Sequence, residues 1–224
     1  MADARRKPKS EATRRRLLDA ALGLFRARGF EETTMRDVAR AVGMSLGAAY
    51  YYFPSKDAIV MEYYVASQEE HAARARALLD ETRDLRQRLG AVVHGKLDTV
   101  RRERKLLGAL FRSAGDPEHP LSVFAPSTRG VREQAIALFD EALAGARPPV
   151  PAELRRTLAP LLWLGLLAAL LHFIHDRSRD QARTRKLVDG ALDLVAPLLP
   201  LASLPQAKPL IARATALLEM ASAR

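Results

Sequence analysis

Fourteen consecutive residues, Leu161 to Ile174, contain nothing more polar than His172. Within them Leu161–Leu171 is apolar all round, and a helix of that kind has to be buried on every face. The chain therefore needs a large helical core, a partner for this helix, or both. The run is too short to span a bilayer, and the basic N-terminus lacks the apolar stretch of a secretory signal. A cytoplasmic protein without a membrane partner is expected. Ala and Leu far outnumber Val and Ile, which favours helices over sheets, and 224 residues suffice for one or two domains. With no Cys, disulfide frameworks, thiolate metal sites and Cys nucleophiles are excluded.

Punctuation divides the chain into helices. Residues 1–10, polar and interrupted by Pro8, read as a flexible basic arm. Leu17, Leu18, Ala21, Leu22, Leu24 and Phe25 mark one face of a helix over Glu11–Arg28 that stops at Gly29. Further helices are expected over Lys56–Leu79, Leu85–Val100, Leu106–Phe111, Val131–Leu143, Ala152–Arg177 and Gln181–Leu199, with a last amphipathic segment at Leu210–Ala221. Gly115–Ser127 and Gly145–Pro151 read as loops. The fold class is all-α, with no strand alternation of useful length. Three regions follow: the arm at 1–10, a small domain at 11–56 and a larger helical domain at 57–224.

Two short helices stand between Thr34 and Pro54. Thr34 with Asp37 three residues later approximates a capping box. Gly43 ends the first helix and Ser45 caps the second, which runs from Leu46 to Phe53. Val38, Val42, Met44 and Ala49 supply the contacts between them, and the pattern is a helix-turn-helix. The major groove of B-DNA admits one α-helix, and this one carries no acidic residue. Gly47 and Ala48 permit close approach to bases or sugars. Tyr51 and Tyr52 offer hydroxyls to phosphates and rings to thymine methyls. Ser45 and Leu46 open the helix at an end that favours phosphate, and Tyr50 and Phe53 read mainly as core. Thr34 and Arg36 are placed for backbone contacts, and Lys56 is a point charge for phosphate. Net charge is +6 over residues 1–56 and +4 over the remainder, so the cationic excess lies beside this motif. Arg5, Arg6, Lys7, Lys9 and Arg14–Arg16 could follow the adjacent backbone or enter the minor groove.

The stretch Gly29-Phe30-Glu31-Glu32-Thr33-Thr34-Met35-Arg36-Asp37-Val38-Ala39, continued by Val42-Gly43-Met44-Ser45-Leu46-Gly47-Ala48-Ala49-Tyr50-Tyr51-Tyr52-Phe53-Pro54-Ser55-Lys56, resembles the tetracycline-repressor (TetR) family of bacterial transcription regulators. Two positions depart from the family pattern: Ala49, where a larger aliphatic residue is usual, and Tyr52, where His is common. The resemblance implies a homodimeric repressor that binds a palindromic double-stranded DNA operator and is released by a small molecule. It implies similar DNA-contacting roles for Thr34, Arg36, Ser45, Leu46, Gly47, Ala48, Tyr50, Tyr51, Tyr52 and Lys56. It also implies that the last two main helices form a four-helix dimer interface, for which Leu164, Gly165, Ala168, Leu171, Val188, Leu192 and Val195 are the candidates. An apolar effector pocket is expected in the larger domain. Phe111, Phe124, Trp163, His172 and Phe173 are its candidate lining, and the aliphatic bias of the chain points to a hydrophobic or aromatic effector. The helix that begins at Lys56 links the two domains and is the natural lever between them.

His172, His175 and Asp176 share a helix face, but a metal site would need distant donors, so neither metal nor cofactor is expected. No phosphate-binding Gly-rich loop, G-x-S-x-G or H-E-x-x-H occurs, which argues against an enzyme. A structural DNA-binding protein without an effector remains the competing reading of the same motif.

Overall fold

A computed structural model describes residues 3–113, 116 and 118–199, and five further positions at 209, 212, 213, 216 and 220. Side chains are described from residue 10, except that of Ser113. Nine α-helices occur among the described residues: α1 (Asp3–Arg28), α2 (Met35–Ala41), α3 (Leu46–Tyr52), α4 (Lys56–Glu81), α5 (Leu85–Val100), α6 (Arg104–Ser113), α7 (Arg129–Ala144), α8 (Ala152–His175) and α9 (Ala182–Leu198). No strand occurs among them. The segment expected at Leu210–Ala221 lies outside the described residues, except that 212, 213, 216 and 220 are helical and exposed.

α1 starts at Asp3 and takes in most of the stretch expected to be a flexible arm. Ala4, Arg5, Arg6, Lys7 and Lys9 are good helix formers, and the helix continues through Pro8 even though proline is disfavoured beyond the first turn. Leu17, Ala21 and Phe25 of α1 are fully buried. Gly29 ends the helix at φ +99° and Gly43 ends α2 at φ +69°. Both are conformations in which a Cβ is strained, so the two glycines fix where these helices stop.

The chain forms two compact units, and they do not divide at residue 56. The first comprises Met1–Ser67 with Val100–Val131, and the second Gln68–Thr99 with Arg132–Arg224. The physical reason is core size. A helix-turn-helix of under fifty residues buries too little apolar surface to stand alone. In the first unit Phe30, Val38, Ala49 and Phe53 share one core with Ile59, Val60 and Tyr63 of α4, and with Leu106 and Leu110 of α6 and Leu121. Arg26 of α1 pairs with Glu103 at 2.5 Å, and Lys105 Nζ donates to the Arg26 carbonyl.

The second unit is centred on Leu89, Leu97, Leu138, Phe139, Leu143 and Phe173, all fully buried. Arg88, 4% exposed, is its polar hub. It donates to the carbonyls of Leu79, Thr82, Glu141 and Ala142. These lie at the C-terminal ends of α4 and α7, where helix carbonyls lack partners of their own. A Cβ on Gly145 would overlap the guanidinium, so glycine is required there for room. Burial first, then the nearby Arg83 charge, pull the Arg88 pKa below its ordinary value.

A second polar group lies between α4 and α5. His71 Nε2 bonds the Val92 carbonyl at 2.8 Å, and Lys96 Nζ donates to Gln68 Oε1 at 3.2 Å. Burial, then the Lys96 charge, lower the His71 pKa to about 4, and burial lowers that of Lys96 to about 8. Folded His71 is neutral at pH values where the unfolded chain has an imidazolium. The unfolded state therefore binds the extra proton between about pH 6.5 and 4. This contribution is complete above pH 6.5 and fades as the pH falls toward 4, by up to about 3 kcal/mol. Urea melts from pH 7 to 4.5 are expected to show this slope in the parent chain and its loss in His71→Gln. Parallel slopes in the two proteins would contradict it.

Candidate nucleic-acid interface

The helix-turn-helix is assembled largely by local chemistry. Thr34 and Asp37 form the full capping box. The Asp37 amide donates to Thr34 Oγ1 at 3.2 Å, and the Thr34 amide donates to Asp37 Oδ2 at 3.0 Å. The Thr34 hydroxyl also donates to Asp37 Oδ2, at 2.6 Å. These bonds, with help from Arg28 and Arg40, hold the Asp37 pKa below the ordinary carboxylate range. Ser45 caps α3 by accepting the Ala48 amide at 3.2 Å.

α3 is anchored by Ala49, which is fully buried, and by Phe53 just beyond its end. Opposite Ala49 the surface is open. Tyr51 is 84% exposed and Tyr50 46%. Ser45 and Gly47 are exposed, and Leu46, Ala48 and Tyr52 are half-buried. Tyr50, read mainly as a core residue, is thus on the surface. A seven-residue helix anchored through Ala49 turns positions 50 and 51 away from the core. Tyr51 and Tyr52 pack edge to face at 5.3 Å. Thr34 and Arg36 are exposed at the start of α2.

Lys56 is placed differently from a free point charge. Its Nζ donates to the carbonyls of Phe30 at 2.7 Å and Glu31 at 3.3 Å, and lies 4.5 Å from the centre of the Phe30 ring. An ammonium has three N–H bonds, so these two carbonyls leave a third for an anion. Arg14, grouped by sequence with the basic arm, is a structural clasp. It makes a two-pronged pair with Glu62 at 2.9 and 2.8 Å, donates to the Tyr52 carbonyl at 2.8 Å, and stacks 4.3 Å from the centre of the Phe53 ring. The hydrogen bonds from Arg14 lower the Glu62 pKa. Arg14 thus ties α1 to the end of α3 and to α4, a role that a run of three arginines conceals in sequence. Arg16 reaches the Val42 carbonyl at 3.3 Å. The side chains of Arg5, Arg6, Lys7 and Lys9 lie outside the described residues.

In the second unit α8 and α9 pack together, and each keeps an apolar outer face. On α8 the inner side is Trp163, Leu166, Leu170 and Phe173. The outer side is Leu161, Leu164, Gly165, Ala168 and Leu171. By length and composition this 24-residue helix could cross a membrane, so the argument from run length does not exclude that. Its inner face is committed to the bundle, and only the outer face needs an apolar cover. On α9 the expected interface residues divide. Val188 and Leu192 are buried within the unit and Val195 is half-buried, whereas Leu187, Ala191, Leu194 and Leu198 face outward. A one-residue shift around the helix separates the two sets.

The turn joining these helices is built on Asp176. Its carboxylate accepts the amide and hydroxyl of Ser178 and of Thr184, at 2.7–2.8 Å. Burial opposes ionisation of Asp176, but these four bonds outweigh it and hold the pKa below the carboxylate range. His172 Nδ1 bonds Thr184 Oγ1 at 2.8 Å, which links α8 to α9. Asp180 and Gln181 both take φ +54°, a conformation that costs about 1 kcal/mol or more per non-glycine residue.

The expected effector residues are not gathered in one unit. Half-buried Phe111 and exposed Phe124 belong to the first, and Trp163, His172 and Phe173 to the second. An open cleft of about 390 Å³ in the second unit is lined by Ile136, Asp140, Ala152, Arg155, Arg156, Ala159 and Pro160, none of them foreseen. Its Arg155 pairs with Asp140 at 2.9 Å. Among the described residues no group of three or more metal-ligating side chains occurs.

Residues 17–63 match the family model for bacterial regulatory proteins of the tetR family, and residues 88–212 match the tetracyclin repressor-like C-terminal domain. The HTH-type transcriptional repressor Rv1474c of Mycobacterium tuberculosis is 32% identical over 163 residues, 71% of this chain and 82% of that protein. A TetR transcriptional regulator from Nitrosomonas europaea shares the fold, with a TM-score of 0.65 at 19% identity over 82% of this chain and 98% of that one. A Thermus thermophilus FadR, a TetR-family repressor crystallised with lauroyl-CoA, gives a TM-score of 0.57 at 26% identity over 80% and 92%.

Proposed function

Since this chain belongs to the tetR family of bacterial transcriptional regulators, DNA-binding proteins and not enzymes, we propose that it represses transcription from a palindromic operator as a homodimer and is released by a small molecule. The observation that carries the reading is α3: an acid-free helix anchored by Ala49 that turns Tyr51 outward at 84% exposure. Such a helix meets the shape requirement of the major groove. Around it Thr34, Arg36, Ser45 and the third N–H of Lys56 are the phosphate-binding groups, and Leu46, Gly47, Ala48, Tyr50 and Tyr52 flank Tyr51.

One helix of seven residues offers too few contacts for specific binding, and a symmetric pair doubles them. The cover proposed for the outer face of α8 is a second copy of the chain, met through Leu164, Gly165, Ala168 and Leu171. On this reading the protein is cytoplasmic. The effector is hydrophobic or aromatic and binds in the larger domain. It acts by favouring a conformation whose two copies of α3 are wrongly spaced, through α4, and the shift is limited by its differential affinity for the two states.

The test is Tyr51→Ala. Burying a large apolar side chain is worth about 1.5 kcal/mol or more and occurs twice in a dimer, so affinity for operator DNA should fall about 100-fold. The sedimentation coefficient and melting temperature should not change, because the side chain is exposed. Undiminished binding would place the DNA surface elsewhere.

A further inference from the structure

The seven residues of α3 are Leu, Gly, Ala, Ala, Tyr, Tyr and Tyr. That inventory limits which base edges they can read. Guanine is recognised by two-pronged donation from Arg or Lys, adenine by the amide of Asn or Gln, and the cytosine amino group by Asp or Glu. α3 has none of these side chains. Its apex is Gly47 and Tyr51, four residues apart and therefore neighbours on one face. Both are exposed, with Ala48 and Tyr50 on the flanks. With the tyrosine hydroxyls directed to phosphates, what the rings and methyl groups of such a face can recognise in the major groove is the C5-methyl group of thymine. The arginines and the lysine that flank α3 in the chain, exposed Arg36 and Arg40 on α2 and Lys56 at the start of α4, all lie outside it.

We infer that α3 reads its half-site through thymine methyl groups, with Tyr51 the residue that sets the preference, and that any guanine contact comes from outside α3. This rests on the operator-binding reading above and specifies the chemistry of that surface.

The experiment starts from duplexes enriched out of a randomised pool by the full-length protein. Each thymine of the half-sites is then replaced by uracil, which removes the methyl group and keeps every hydrogen-bonding group. Affinity is read by fluorescence anisotropy at fixed salt. Burial of one methyl-sized group corresponds to about fourfold, so the sensitive symmetric pair of positions should weaken binding about fifteenfold. In Tyr51→Ala thymine and uracil should bind alike at those positions, and in Tyr51→Phe the preference should persist. An enriched duplex indifferent to every uracil substitution, or a preference unchanged in Tyr51→Ala, overturns this inference and leaves the operator reading standing. A pool that yields no enriched duplex removes the operator reading and this inference with it.

Discussion

Leu171→Asp combined with Leu194→Asp is expected to make the chain monomeric and to lower its affinity for a palindromic duplex by about 10²- to 10⁴-fold, the range over which linked binding sites gain on single ones. In the single chain Leu171 is 48% exposed and Leu194 71%. Charges there face water in a monomer, where surface substitutions usually shift stability by no more than about 0.5 kcal/mol. Against a second copy, the same charges would be buried without partners, which interfaces do not tolerate. The variant should therefore melt as a folded helical protein, sediment as one subunit and fail to hold the operator. A dimer that persists would show that the outer faces of α8 and α9 are not the contact.

Arg88→Met should have the largest effect on stability in urea unfolding, at about 1–3 kcal/mol for a buried carbonyl left without a donor. Methionine fills much of the same volume but leaves the carbonyls of Leu79, Thr82, Glu141 and Ala142 without the donor they share. No carboxylate pairs with this arginine through the bonds described, so its stabilising effect depends on those four acceptors together. Arg88→Lys should recover only part of the loss, because an ammonium cannot reproduce the planar fork. A change below about 1 kcal/mol would mean that the helix ends find other donors.

Features built by local chemistry are legible in the sequence. The Thr34–Asp37 box, the Ser45 cap and the stops at Gly29 and Gly43 involve residues at most four apart, and each was legible in the sequence. The helix-turn-helix followed from them. Features that depend on distant residues were not legible. Arg14 meets Glu62, 48 positions away, and Arg88 meets Ala142, 54 positions away. In sequence each is one more arginine in a basic chain. The core that joins Leu106, Leu110 and Leu121 to the helix-turn-helix has the same origin, so the boundary drawn at residue 56 missed it. On α9 periodicity identifies the helix but not which stripe turns inward; Val188 and Leu192, expected at the interface, are buried within the unit. Nor do the aromatic residues show by themselves which unit each will join: Phe111 and Phe124 belong to the first, and Trp163 and Phe173 to the second.

The most direct measurement is the sequence of the duplexes that the full-length protein retains from a randomised pool, read together with the number of chains bound per duplex. Two outward copies of α3 related by a twofold axis predict an inverted repeat. Its half-site centres should be separated by about 10 base pairs or a multiple of that spacing, with an even number of chains on each duplex. Enrichment of a single unrepeated site occupied by one chain, or no enrichment at any salt concentration, would contradict it.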